Sequence, residues 1–421
     1  MPYYISGVTA DHRDLIARTT EEFREKNGVD VLTRHRVLEI DPGNRTVLVR
    51  DLESGAEFLD EYTVLLVSTG ARAFIPAVEG VDLEGCFVLR ELADSMRIKS
   101  FLEERGPRRA VIVGAGPVGM EMCESFRMLG LDVSVVDAAD RPMPFMDAEL
   151  ALKVREKLES EGVNCMLEES LEGFEGDGSG TLRRVRTTGG ALDCDIALLA
   201  IGIRPVTDLA ASAGAALGVK GALRVDGGMR TNIDGMYAAG DCAVTFDAIT
   251  GAETWIPLGS TSRKQARAAA DSMFGAPVEF PGVVGTSIVK CFDLTVGRTG
   301  LDEGYAREMG YNPVAVSMEA RSTPEYYPSG SNMALKLICD RNGGRVLGAQ
   351  VVGDLGSGAD KRLDVFAVCA AAGMTASDLE HLDLAYAPPY SNAVDVPLVA
   401  GNLMSGKLTG KPCSCDSHGL E

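Results

Sequence analysis

The sequence predicts an α/β fold, with doubly wound parallel strands followed by a C-terminal α+β module. Three observations predict it. Residues 110–137, AVIVGAGPVGMEMCESFRMLGLDVSVVD, read as strand, glycine turn, helix and second strand. Two further apolar runs, at 62–72 and 193–204, end in glycine turns as buried parallel strands do. From Thr286 the pattern changes to several strand-like runs followed by one helix.

Taken in order, MPYYISGV and a polar helical segment over 15–26 open the chain. Residues 31–61 alternate apolar and polar positions around an Asp-Pro-Gly-Asn turn at 41–44, which predicts an antiparallel meander. YTVLLVSTGAR, 62–72, follows as a buried strand closing on Thr69 and Gly70.

The 110–137 stretch carries the most specific signal. Ala110 to Val113 is a buried strand, and Gly114, Gly116 and Gly119 open a helix running to Gly130. A second strand, Val133 to Val136, ends on Asp137. This is the dinucleotide-binding fingerprint in its full context, with an acid ~20 residues after the glycines. Gly114 permits the tight turn, Gly116 lets backbone approach a pyrophosphate, and Gly119 allows close helix–strand packing. The anion rests on the helix N-terminus. Asp137 accepts a hydrogen bond from a ribose 2′-OH and repels a 2′-phosphate, which favours NADH, while Arg141 leaves NADPH open. Glu121 serves either the helix dipole or a ligand.

Next come a helix over 147–161, a glycine-rich hairpin tip at 172–180, and the strand at 193–204 with Gly202. Residues 223–243 end in YAAGDCA, which places the Asp241 carboxylate at a strand's C-terminal end. There it accepts sugar or ribitol hydroxyls, or caps a helix. A helix over 262–274 precedes strands at 287–292, 314–319, 333–340 and 346–352 and a helix at 363–373. No period of 20 to 50 residues recurs.

The 421 residues suffice for two or three domains, and 45% hydrophobic with 24% charged residues is an ordinary globular composition. A net charge of −20 argues against nucleic-acid and anionic-membrane partners. No run reaches a membrane span and no signal peptide opens the chain. The ten cysteines are scattered, as in a reducing cytosol, so the expected location is cytoplasmic. Cys413, Cys415 and His418 are one ligand short of a closed zinc site and read as an exposed tail or a redox pair. His12, His35 and His381 read as surface residues.

Together these residues resemble the pyridine nucleotide-disulfide oxidoreductases, flavoproteins with two dinucleotide sites. Within them the sequence is similar to the coenzyme A-disulfide reductase and NADH oxidase branch, over the chain to about Met404. YTVLLVSTGAR resembles the family's ATG-type strand and YAAGDCA its second FAD motif. GTSIVKCFDLTVGRTGL, EYYPSGSNMALKL, GADKRLDV and LAYAPPYSNAVD resemble its dimerisation domain. The resemblance implies two Rossmann-like nucleotide-binding domains, the first N-terminally truncated, and a C-terminal α+β dimerisation domain. The implied boundaries are 1–78 and 206–282 for the FAD-binding domain, 79–205 for the NAD(P)-binding domain, 283–405 for dimerisation, and a flexible tail at 406–421. It assigns Thr69, Gly70, Gly240 and Asp241 to FAD. It assigns Gly114, Gly116, Gly119, Glu121, Asp137 and Gly202 to NAD(P), with Glu121 at the nicotinamide end. Tyr327 and Tyr386 match two tyrosines that enter the partner subunit's active site, which implies a homodimer.

Three departures accompany the likeness. The family lysine that meets coenzyme A phosphates is Val394 here, and no His-Pro catalytic motif is present. In the family, PYYISG lies just after the redox cysteine and after a first βαβ unit. Here Pro2 follows Met1. The resemblance therefore implies an incomplete form, through a wrong start codon, a fragment or a decayed gene, lacking a βαβ unit of roughly 30 residues and the nucleophilic thiol. The expected activity passes hydride from NADH through FAD to a disulfide, persulfide, polysulfide or O₂. Two alternatives stand beside it: a cysteine-independent flavin reductase, and a non-enzymatic dimeric NAD-binding remnant.

Overall fold

The computed structural model describes residues 1–328 and 330–410. The chain opens with α1 (Pro2–Ile5), a 3-10 turn at His12–Leu15, and α2 (Thr20–Asn27). Strands β1 (His35–Asp41), β2 (Thr46–Asp51), β3 (Glu57–Glu61), β4 (Leu65–Val67), β5 (Ala71–Ala73) and β6 (Cys86–Val88) follow. Then come α3 (Leu92–Arg105), β7 (Arg109–Val113), α4 (Pro117–Met128), β8 (Asp132–Asp137), α5 (Ala148–Ser160) and β9 (Val163–Leu167). Strands β10 (Leu171–Gly176), β11 (Leu182–Thr187), β12 (Gly190–Asp193), β13 (Ile196–Leu199) and β14 (Ile203–Pro205) precede α6 (Asp208–Ser212). Next are β15 (Met236–Ala238), β16 (Thr245–Phe246), β17 (Glu253–Thr254) and α7 (Gly259–Met273). The last third holds β18 (Ser287–Cys291), β19 (Leu294–Gly300), α8 (Glu303–Glu308), β20 (Pro313–Arg321), β21 (Asn332–Asp340) and β22 (Val346–Asp354). It closes with α9 (Ala359–Ala372), α10 (Ala376–Glu380) and α11 (Val396–Thr409).

The helix expected over 15–26 is two pieces. Thr19 lies in the extended region and forms a capping box with Glu22, so α2 starts only at Thr20, and Gly28 closes it in the left-handed region. Asp11 caps the separate 3-10 turn. The run at 62–72 is likewise two short strands, β4 and β5, split at Thr69 and Gly70. The run at 193–204 holds β13 and β14. Helix α11 continues to Thr409, so the tail expected from 406 begins inside a helix. Cys413, Cys415 and His418 lie outside the described residues.

Two compact units emerge. Unit 1 holds residues 7–74 and 202–283, with Met1. Its parallel pair joins β4 to β15, matching Leu65 with Met236 and Val67 with Ala238. The β1–β2–β3 meander, the β5–β14 pair and the β16–β17 pair complete its sheets. The core gathers Val67, Leu223, Met229, Met236, Ala238, Val244 and Ala269.

Unit 2 holds residues 2–6, 75–201 and 284 onward. Its first sheet is parallel, in the order β6-β13-β7-β8-β9. Ala110 to Val113 and Ile196 to Leu199 are all buried, the continuous apolar pattern of strands covered on both faces. Helix α1 packs against α3 and α4. The hairpin expected at 172–180 is the β10–β11 connection. The C-terminal sheet is antiparallel, in the order β18-β19-β22-β21-β20, with α9 packed against β19 and β22.

Charged pairs lace these two layers of unit 2 together. Lys336 on β21 is 8% exposed, and its ammonium meets Asp147 at 2.6 Å, Glu303 at 2.9 Å and Glu149 at 3.5 Å. The Asp147 N–H donates to the buried Gln350 side chain at 2.7 Å. Lys290 pairs with Glu124, and the Arg298 guanidinium donates to the Phe145 carbonyl at 3.0 Å.

Candidate functional site

The glycine turn is built as its spacing predicts. Gly114 has φ +112, and its N–H donates to the Val136 carbonyl at 2.8 Å. A Cβ there would lie 2.4 Å from the Ala200 carbonyl oxygen, so side chain and backbone conformation are both excluded. A Cβ on Gly119 would lie 2.0 Å from the Gly114 carbonyl oxygen, the close approach of α4 to its own turn. Gly116 differs from both. It is the N-cap of α4, no side chain caps it, and a Cβ there meets nothing within 4 Å. The helix N-terminus therefore presents backbone to open space, which is the cradle a pyrophosphate fits.

Asp137 closes the other side. Its carboxylate accepts the Ala115 N–H at 2.6 Å and the Ala139 N–H at 2.8 Å, so it is fixed at the end of β8 against the glycine turn. Its oxygens keep lone pairs for two ribose hydroxyls. Arg141, the cation that could receive a 2′-phosphate, donates instead to Asp140 at 2.8 Å. Asp137→Asn removes the charge that repels a 2′-phosphate. The expected outcome is at least a tenfold fall in the NADH-over-NADPH affinity ratio, read by fluorescence titration with each dinucleotide. An unchanged ratio would refute this role.

Glu121 lies beyond the first turn of α4, which contains no acid, so the dipole reading loses its basis. Burial raises its carboxyl pKa, Glu124 adds to the rise, and a hydrogen bond from the Tyr3 hydroxyl at 3.4 Å opposes it. Tyr3 is raised in turn by burial and by Glu121 and Glu124. Helix α1 delivers Tyr3: the Pro2 carbonyl accepts from Ser125 at 3.2 Å, and Lys99 donates to the Tyr4 carbonyl at 3.1 Å. Sequence reasoning missed Tyr3, because the contact spans 118 positions.

In unit 1, β4 and β15 end side by side, with the Ala239 N–H on the Val67 carbonyl at 3.1 Å. Gly70 and Gly240 both take positive φ just beyond these ends. The Thr69 hydroxyl donates to the Val206 carbonyl at 2.5 Å, and the Gly240 N–H to Gln265 at 3.0 Å. The N-cap of α7 is Leu258, so Asp241 does not cap that helix. Its carboxylate accepts from Ser262 at 2.9 Å, and its carbonyl accepts from the Trp255 indole at 2.9 Å. A fixed acid beyond paired parallel strand ends fits the sugar-alcohol end of a flavin nucleotide. Among the described residues, unit 1 contains no second strand, glycine turn and helix of the kind at 110–137. Gly202, at φ +105, accepts the Phe74 N–H at 2.9 Å and falls in unit 1.

The eight described cysteines are all free thiols. Burial pushes Cys86, Cys194, Cys291 and Cys339 up to about 12 and Cys165 up to about 11, and it raises Cys123 and Cys369 as well. Cys242 is fully buried. Thiols in such surroundings are core residues, since the thiolate is the nucleophile.

In the C-terminal layer the structure brings Tyr326 to Tyr386. The neighbouring Tyr386 hydroxyl raises the Tyr326 phenol above its ordinary value. Tyr327, the residue expected there, lies half-buried in the same turn, its N–H on the Pro324 carbonyl at 2.9 Å. The tandem Tyr326-Tyr327 was the available signal, and spacing alone does not choose between the two. Tyr386 and Tyr390 line a cavity of about 670 Å³ with Thr323, Ser357, Lys361 and Arg362. Val394 is exposed.

Comparison with known proteins gives a consistent result. Residues 2–271 match the pyridine nucleotide-disulphide oxidoreductase family, and residues 286–397 match the dimerisation domain of that family. An NADH oxidase of Methanocaldococcus jannaschii is 33% identical over 413 residues, covering 98% of this chain and 90% of that protein. An NAD(P)H sulfur oxidoreductase (CoA-dependent) of Pyrococcus furiosus is 35% identical over 408 residues, covering 96% and 89%. The solved structure of an NAD-dependent persulfide reductase from A. fulgidus superposes with a TM-score of 0.93 at 35% identity, covering 97% of this chain and 76% of that one.

Proposed function

The chain belongs to the pyridine nucleotide-disulphide oxidoreductase family, and from that premise we propose that it oxidises NADH through FAD, passing electrons to a disulfide, persulfide, polysulfide or O₂. The observation that carries the reading is the Gly114-to-Asp137 unit, whose open helix N-terminus and fixed carboxylate suit NADH. Gly116 and the first turn of α4 hold the pyrophosphate, and Asp137 holds the adenosine ribose. Glu121, with Tyr3, orients the nicotinamide end. Asp241, held by Ser262, accepts a ribitol hydroxyl. A bound flavin supplies the two-electron redox chemistry, and the protein supplies orientation and electrostatics. Tyr386 meets the acceptor. The C-terminal layer pairs two copies into a cytoplasmic homodimer.

Anaerobic addition of NADH to the purified chain, reconstituted with FAD, tests this. The expected result is stoichiometric bleaching of the flavin absorbance. A colourless protein that still binds NADH would instead support the NAD-binding remnant.

The buried thiols favour one acceptor class over another. A cysteine-independent reaction with O₂ or a small acceptor needs none of the eight described cysteines, each of which is core-packed or partly buried. Under that reading, NADH-dependent O₂ consumption persists after iodoacetamide treatment of the native protein. Loss of turnover on alkylation would favour a thiol-dependent route.

A further inference from the structure

Arg362 lies near the start of α9 and is 1% exposed. A guanidinium has five N–H donors in a fixed fork, and here all five are used. The Nε and one Nη2 hydrogen donate to Asp395 Oδ1 at 2.9 and 2.7 Å. The second Nη2 hydrogen reaches the Ser322 carbonyl at 2.9 Å. The Nη1 hydrogens reach the Ser357 and Gly358 carbonyls at 2.8 and 3.2 Å. These acceptors come from three separate segments. Ser322 leads into the turn that carries Tyr326. Asp395 ends the loop that carries Tyr386 and Tyr390, and it caps α11 through the Val396 N–H at 2.9 Å. Ser357 and Gly358 form the turn before α9. A second contact joins the same two loops, from the Asn392 amide to the Arg321 carbonyl at 2.9 Å.

We propose that Arg362 is a positioning residue that fixes the Tyr326 and Tyr386 loops against one another. A buried cation of this kind gives little net stability against an apolar replacement, so its worth lies in the arrangement it imposes. Lysine cannot substitute. Its three donors radiate from a single nitrogen and cannot reach Asp395, Ser322 and the Ser357 turn in one plane. Carbonyls on two segments and a carboxylate on a third hold the loops that carry Tyr326 and Tyr386 in one arrangement. The role of Tyr386 toward an acceptor rests on the proposed function. The positioning of the pair does not.

The test is a double-mutant cycle read by tyrosine ionisation, using ring-labelled tyrosine NMR with Tyr326→Phe to assign the signal. In the parent, Tyr386→Phe lowers the pH at which Tyr326 ionises, because the hydroxyl that raises it is removed. In an Arg362→Lys background the same Tyr386→Phe substitution produces no shift. A folded Arg362→Lys protein that keeps the parental shift overturns the proposal. If Arg362→Lys does not fold, Asp395→Asn, which keeps an oxygen to cap α11, is read in the same way with the same two outcomes. Acceptor kinetics stand apart. An unchanged KM in Tyr386→Phe refutes the acceptor role of that tyrosine while the Arg362-dependent coupling persists.

Discussion

Gly116→Ala weakens NADH binding at least tenfold and leaves the melting temperature unchanged. The added methyl meets no protein atom within 4 Å, and Gly116 has an ordinary extended backbone at φ −82, so the folded state is not strained. The methyl enters the space where a pyrophosphate must approach backbone N–H groups, and a displaced anion loses both the hydrogen bonds and the dipole. Gly114→Ala is the matched control. It adds a methyl 2.4 Å from the Ala200 carbonyl at a positive φ. Strain and overpacking of this kind each cost roughly 1 to 3 kcal/mol. Calorimetric titration with NADH and thermal unfolding of both variants separate the two effects. Equal losses of stability, or full NADH affinity in Gly116→Ala, would show that the nucleotide does not rest on this helix.

Lys336→Met destabilises the protein by about 3 kcal/mol at neutral pH. This is the lower end of the range for removing one partner of a buried ion pair, because Asp147 and Glu303 are themselves about a quarter exposed. Three carboxylates then converge without a cation. Two hydrogen bonds and these charges raise the lysine against the opposing effect of burial. A lysine raised above its unfolded value near 10.4 contributes fully below that pH. The contribution is lost only as pH climbs through the higher folded value. The penalty of the substitution is therefore level from neutral pH to about pH 9. Urea unfolding across that range checks it. A penalty that falls away between pH 7 and about pH 9 would contradict the charge argument.

The glycine turn was legible because most of what shapes it is local. Gly119 and Asp137 act through close approach and hydrogen bonds within one strand–helix–strand unit, and Gly114 acts there through its positive φ, although the carbonyl that crowds it belongs to Ala200. The pairing of β4 with β15, which sets Thr69 and Gly240 just beyond neighbouring strand ends, was legible only as a family likeness, since the two strands are far apart in sequence. Tyr3 was not legible at all. No local pattern connects it to Glu121, and only the packing of α1 on α4 brings them together. The split of the helix expected over 15–26 could have been read. Thr19 and Glu22 have the spacing of a capping box, and a polar segment without apolar periodicity gave no reason to run the helix through it. The choice between Tyr326 and Tyr327 depends on how one turn twists.

The parallel pairing of β4 with β15 also governs the order of events as the chain is made. Residues 75–201 emerge between the two halves of unit 1, and that stretch contains every strand of the parallel sheet that carries Gly114 and Asp137. During synthesis from the N-terminus, that sheet can be completed while β4 still waits for a partner. Once it has folded, the insert has its own ends fixed, so the long loop that β15 must close is already shortened and its entropic cost reduced. A ribosome pause before Met236 would then leave the first half of unit 1 without the strand it pairs with.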